Sequence, residues 1–114
     1  MRGAARILAA AAALAAATAW SQAPAGRDLF VRADKGNCIA CHQVPEGSGP
    51  AVRSSVGPRL DRARLRDWDR ARLRALLEDP TRANPDTVMP PYGRHRLLES
   101  AEIERVIDYL HALP

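Results

Sequence analysis

Two thiols and an imidazole stand together in Cys38-Ile39-Ala40-Cys41-His42, and these are the only cysteines of the 114-residue chain. Two cysteines separated by two residues and followed at once by histidine carry the spacing of covalent c-type haem attachment. The thiols add across the two vinyl groups of haem, and the intervening pair sets the separation those vinyls require. The adjacent histidine then comes under the iron as the proximal nitrogen ligand. Other chemistries fit less well. A thioredoxin-type redox pair sits at the start of a helix after a strand, and no strand pattern precedes Cys38. A structural zinc site needs four ligands, and His95 and His111 are too far apart to make its second half. A structural disulfide across two residues is strained.

A haem iron has a sixth position, and Met89 is the candidate for it. It stands in Thr87-Val88-Met89-Pro90-Pro91-Tyr92-Gly93, where two prolines stiffen the loop that would hold the thioether. Methionine and histidine together raise the reduction potential and close the iron to exogenous ligands, which suits one-electron transfer. Methionine as plain core filler is the alternative. His95, six residues on, is the runner-up ligand, although Arg94-His95-Arg96 reads more naturally as an exposed basic turn. His111 reads as an exposed residue near a helix C-terminus. Gly57-Pro58 is expected to pass close to His42, where a loop carbonyl could accept the second ring N–H. No residue reads as catalytic.

Helices joined by long loops must position these groups. Leu29, Phe30 and Ala33 place an apolar edge on a short helix from about Arg27 to Ala33, broken by Gly36-Asn37. Residues 44–58 are rich in Gly, Pro and Ser and cannot form a strand ladder. A middle helix is expected over Asp67–Glu78, capped by Asp67 or Asp69. Its stripe is Trp68, Leu73, Leu76 and Leu77, with arginines on the opposite face. Asp79-Pro80 stops it. The last helix is expected over Ser100–His111, with Ile103, Val106, Ile107 and Leu110 at helical spacing. Glu99 and Ser100 compete for its N-cap. The fold class is all-α, three to four helices with long loops, and loops this long call for something to hold them.

The N-terminus reads as a secretory signal peptide over residues 1–23. Arg2 and Arg6 precede the apolar run Ile7–Ala17, and Ser21-Gln22-Ala23 supplies the cleavage site. Cutting after Ala19 and retention as an anchor are alternatives, but the run falls short of the roughly 20 apolar residues that span a bilayer. Cleavage leaves one domain, 24–114. A domain of that size usually needs a staple, and with aromatic residues at 4% a cofactor would supply the missing core bulk. The formal charge of +4 loses both leader arginines on cleavage, and two haem propionates would bring it near zero, so nucleic acid is not implied. The arginines between Arg59 and Arg74 are interleaved with Asp61, Asp67 and Asp69 and read as a solvated helix face. A docking patch for an acidic partner is the minority reading.

With these motifs in order, the mature length resembles the class I cytochromes c. In that family the first and last helices cross near the position of Gly26, with aromatic residues such as Phe30 and Tyr109 beside the crossing. A closer resemblance is to the SoxX family, carried by Gly36-Asn37-Cys38-Ile39-Ala40-Cys41-His42-Gln43, Val56-Gly57-Pro58 and, most specifically, Asn84-Pro85-Asp86-Thr87-Val88-Met89-Pro90-Pro91-Tyr92-Gly93. SoxX proteins are the monohaem subunits of SoxAX complexes. The resemblance implies haem c on Cys38 and Cys41, iron ligation by His42 and Met89, and a periplasmic location. It implies two partners, a SoxA-like cytochrome subunit and a downstream cytochrome acceptor. The chain would accept electrons while thiosulfate is coupled to a carrier-protein cysteine, without being the catalytic subunit of that thiosulfotransferase. A free soluble cytochrome shuttling between respiratory complexes is the alternative. Arg59, where the family often has proline, and Glu99, where it often has Thr or Ser, depart from the pattern.

Overall fold

The computed structural model describes residues 23–114; the predicted leader falls almost entirely on residues 1–22, outside them. Among these described residues four α-helices carry the fold: α1 (Gly26–Val31), α2 (Arg62–Leu65), α3 (Arg70–Glu78) and α4 (Ser100–His111). Short 3-10 turns cover Cys38–Ala40 and Pro80–Arg82. No β-strand occurs among the described residues, and no described helix is long and apolar enough to cross a membrane. The all-α expectation holds.

The crossing of α1 and α4 is the centre of the core. Leu29 and Phe30 are fully enclosed, as are Ile103, Val106 and Ile107 on α4. Gly26 makes the approach possible. A Cβ there would fall 1.9 Å from the Arg105 carbonyl oxygen, so any side chain would force the helices apart. Beside the crossing the rings of Phe30 and Tyr109 meet at 5.1 Å between centroids, tilted by 57°. Such a pair adds about 0.5–1.5 kcal/mol beyond its buried area. The Tyr109 hydroxyl also donates to the Ser48 carbonyl at 2.8 Å, tying the Gly/Pro-rich loop to α4.

The final helix has its expected bounds, and Glu99 occupies the N-cap. Its backbone N–H donates to the Glu102 carboxylate at 2.9 Å, the returning arm of a capping box. Glu102 is buried and also receives Lys35 at 2.8 Å, which fastens the segment before Cys38 to α4. Burial opposes its charge, but Lys35 and the Glu99 N–H outweigh that and hold the carboxyl below its usual range.

Three expectations are corrected. The first helix ends at Val31 rather than Ala33, because Arg32 turns extended and the Gly36 N–H folds back to the Leu29 carbonyl at 3.0 Å; Ala33 is exposed. The middle helix begins at Arg70 rather than Asp67. Asp69 caps it by accepting the Arg72 N–H at 2.7 Å, while Asp61 caps a separate short helix, α2, through the Arg64 N–H. Each cap stabilises its helix by about 1 kcal/mol. Trp68 therefore lies in the link between α2 and α3 instead of on a helical stripe. The arginine face of α3 is not wholly solvated either. Arg70 bonds both Glu104 and Asp108, and Arg74 bonds Glu104 and Glu78, clamping α3 to α4.

Candidate haem-binding site

Between the α1–α4 pair, α3 and the loops lies a cavity of about 260 Å³. Its walls are almost entirely apolar: Phe30, Val106 and Leu110 from the crossing, Leu73 and Leu77 from α3, Leu65 from α2. Cys38, His42 and Met89 all line it. The structure thus brings three of the four expected site residues to one space, and Cys41 stands one residue before His42.

The attachment motif is held by local backbone geometry. Asn37 takes a left-handed conformation (φ 47°, ψ 37°), which turns the chain into the 3-10 turn Cys38–Ala40. Asparagine tolerates that region better than most residues. The His42 N–H then bonds the Cys38 carbonyl at 2.8 Å. Neither cysteine is in a disulfide. Cys38 is buried, and removal from water pushes its thiol up to about 12. A redox-active CxxC needs a lowered thiol pKa, so the site opposes dithiol exchange. No group of three or more His, Cys, Asp or Glu side chains among the described residues could hold a metal ion, which removes the zinc alternative.

His42 is set from the side. Its Nδ1 lies 2.6 Å from the Pro58 carbonyl oxygen. A carbonyl can only accept, so Nδ1 carries a proton, and in the neutral ring the lone pair is left on Nε2. That is the tautomer an iron ligand requires, fixed by the partner of the other ring nitrogen. Gly57 lets the ring in: a Cβ there would lie 2.4 Å from Cε1. The loop is stitched to the motif by Gly57 N–H to Cys41 C=O at 2.9 Å, Leu60 N–H to Gln43 C=O at 2.8 Å and Gln43 Nε2 to Ser54 C=O at 2.9 Å. The expected approach of Gly57-Pro58 to His42 is present.

Met89 is half-buried, and its backbone N–H donates to the Thr87 hydroxyl at 3.1 Å. Past Met89, Gly93 N–H bonds Leu77 C=O at 3.2 Å and Arg94 N–H bonds Glu78 C=O at 3.0 Å, pinning the loop to the end of α3. His95 is exposed and does not line the cavity. His111 is exposed too, with Nε2 2.9 Å from the Trp68 carbonyl.

Three residues in or around the site escaped sequence reasoning. Tyr92 is buried and its hydroxyl donates to the Gly36 carbonyl at 2.8 Å, joining the methionine loop to the attachment motif. Its position beside Pro90-Pro91 was the available signal. Asp79 is buried at the end of α3, accepting from the Thr81 N–H and hydroxyl and from Arg94 at 3.4 Å. Arg64 is the one arginine or lysine among the described residues that lines the cavity.

The donor set fits haem: an apolar cavity for the macrocycle, two unbridged thiols, an imidazole with a free Nε2, a thioether, and one cation for the propionates. Haem bound there supplies one-electron redox chemistry; the chain holds and orients it and excludes water. No curated protein matches the chain. A family model described as Cytochrome C oxidase, cbb3-type, subunit III matches residues 21–110. The chain accordingly belongs to that family, as a c-type cytochrome domain that carries covalent haem c and transfers electrons.

Proposed function

We propose that this chain is a periplasmic monohaem cytochrome that accepts electrons as a subunit of a SoxAX-type complex during oxidative coupling of thiosulfate to a carrier-protein cysteine. In this reading Cys38 and Cys41 carry the haem thioethers, and His42 and Met89 are the axial ligands. The partner is a SoxA-like cytochrome that holds the catalytic centre; a second cytochrome takes the electrons onward. The observation that carries the subunit reading is a pair of exposed valines beside the axial residues. Val56, next to Gly57, is 66% exposed, and Val88, next to Met89, is 79% exposed. These apolar side chains stand in water on the two loops that carry Gly57 and Met89, where a covering partner would bury them. The specific string Asn84–Gly93 supports the choice of SoxAX.

The second reading, a carrier that serves a respiratory oxidase, draws on the description of the matched family. Tagged protein recovered from cells grown on thiosulfate separates the two. A stoichiometric second cytochrome with a cysteine-ligated haem supports the subunit reading. A lone monohaem protein moves the function to the free carrier.

A further inference from the structure

A second concavity, about 740 Å³, runs along the outer side of α3 to the turn after it. Its floor is smooth and apolar: Ala71, Ala75 and Ala83, with Leu76. Four arginines line the concavity, Arg72, Arg74, Arg82 and Arg94, against two carboxylates, Glu78 and Asp79. Arg72 lies over the Trp68 ring at 3.9 Å and has no carboxylate partner among the described residues. Arg82 and Arg94 share the single carboxylate of Asp79, at 3.7 and 3.4 Å, and their side chains are 87% and 61% exposed. Arg74 is neutralised by Glu78 and Glu104. The groove therefore keeps a positive surplus around a hydrophobic floor.

Trp68 and Leu76 line both this groove and the cavity that holds the axial residues. At these two side chains the groove and the cavity share a wall. Neither Val56 nor Val88 borders the groove, so it is separate from the exposed valines assigned above to the complex partner. We propose that this groove docks an acidic electron-transfer protein, whose carboxylates meet Arg72, Arg82 and Arg94 while an apolar contact settles on the alanine floor. Docking there brings the partner's redox group against Trp68, and one electron crosses with no bond made or broken. This rests on the electron-transfer reading and adds the chemistry of the second partner. The chain's own first 22 residues bear Arg2 and Arg6 and no acidic residue, so they do not complement the rim.

The test uses the holoprotein, with reduced flavodoxin as an acidic one-electron donor and hydroquinone as a neutral one, followed by stopped flow at several ionic strengths. Arg72→Glu/Arg82→Glu reverses the charge at two of the rim arginines and leaves Arg94 in place; Arg53→Glu/Arg27→Glu makes the same change of net charge away from the groove. The expected result is a fall of about tenfold or more in the flavodoxin rate for the groove variant, with its salt dependence flattened. The control variant loses much less, and hydroquinone reduces all three proteins alike. Equal flavodoxin rates in wild type and groove variant, or equal losses in both variants, overturn the proposal. So does binding of the wild type to phosphatidylserine vesicles that the groove variant loses while its flavodoxin rate stays intact, which would make the groove a membrane contact. A wild-type holoprotein reduced by neither donor overturns the electron-transfer reading itself, and the groove assignment with it.

Discussion

The Nδ1 of His42 and the carbonyl oxygen of Pro58 lie 2.6 Å apart, and the contact exists because Gly57 has no side chain. The ring packs where a Cβ would stand, 2.4 Å from Cε1 and 2.7 Å from Nδ1. Alanine at 57 must push the ring or the loop aside, because an sp3 carbon cannot sit that close to an imidazole. Gly57→Ala is expected to destabilise the protein by about 1–3 kcal/mol, the usual cost of overpacking. It should also lower imidazole basicity by lengthening the bond to Pro58, and so raise the reduction potential. Denaturant melts and potentiometry on the holoprotein read both effects. A variant with wild-type stability and potential would show that the loop does not orient His42.

Met89 as ligand and Met89 as filler predict different behaviour for two substitutions. Met89→Leu keeps most of the volume and costs little packing, whereas Met89→Ala leaves a gap and costs about 2 kcal/mol or more if the site cannot relax. Ligation demands the thioether, so both variants should change the absorption spectrum and let the reduced protein bind carbon monoxide. Filler predicts a normal spectrum for both and a stability loss for alanine alone. Spectra before and after carbon monoxide decide between them.

Much of this arrangement was legible in the chain because it is local. The attachment motif, the last helix and the Gly57-Pro58 approach depend on near neighbours and on spacing. The first and last helices met at Gly26 as the family resemblance implied, since only glycine permits the 1.9 Å approach a Cβ would make. What stayed hidden is long-range. Arg70 and Arg74 look solvated in an arginine-rich run, and only the placement of α4 shows that Glu104 and Asp108 take them. The division of the middle helix turned on which aspartates cap: three lie close together, and Asp61 and Asp69 were used while Asp67 was left exposed. Tyr92 and Gly36 are 56 residues apart, beyond any local pattern.

Asp79 makes stability depend on pH. The Thr81 hydroxyl bond holds its carboxyl below the usual range against burial, with help from the Thr81 N–H and Arg94. The folded carboxyl therefore titrates below its ordinary value of 3.8. Its stabilisation is complete above that value and disappears as pH falls through the lower folded one. Asp79→Asn should be less stable than wild type near neutrality, and the gap should begin to narrow as pH falls below about 4. Thermal melts from pH 7 down to pH 3 give the comparison. A constant gap across that range would mean that Asp79 acts by shape and not by charge.

Tyr92 spans the two halves of the candidate site. Its hydroxyl is buried and donates to the Gly36 carbonyl at 2.8 Å, and in the chain it directly follows the two prolines after Met89. Gly36 precedes the attachment motif by two residues, and a Cβ there would lie 2.9 Å from the Cys38 sulfur, so this backbone has no room to shift. Tyr92→Phe keeps the ring and deletes one donor. The Gly36 carbonyl then stays buried without a partner, at a cost of about 1–3 kcal/mol. The bond also fixes the methionine loop relative to the attachment motif, so its loss should raise local opening of that loop. Amide exchange at Gly93 and Arg94, whose N–H groups bond the end of α3, should quicken more than exchange in α4. Uniform quickening across the chain would instead mark Tyr92 as a contributor to global stability with no particular hold on the loop.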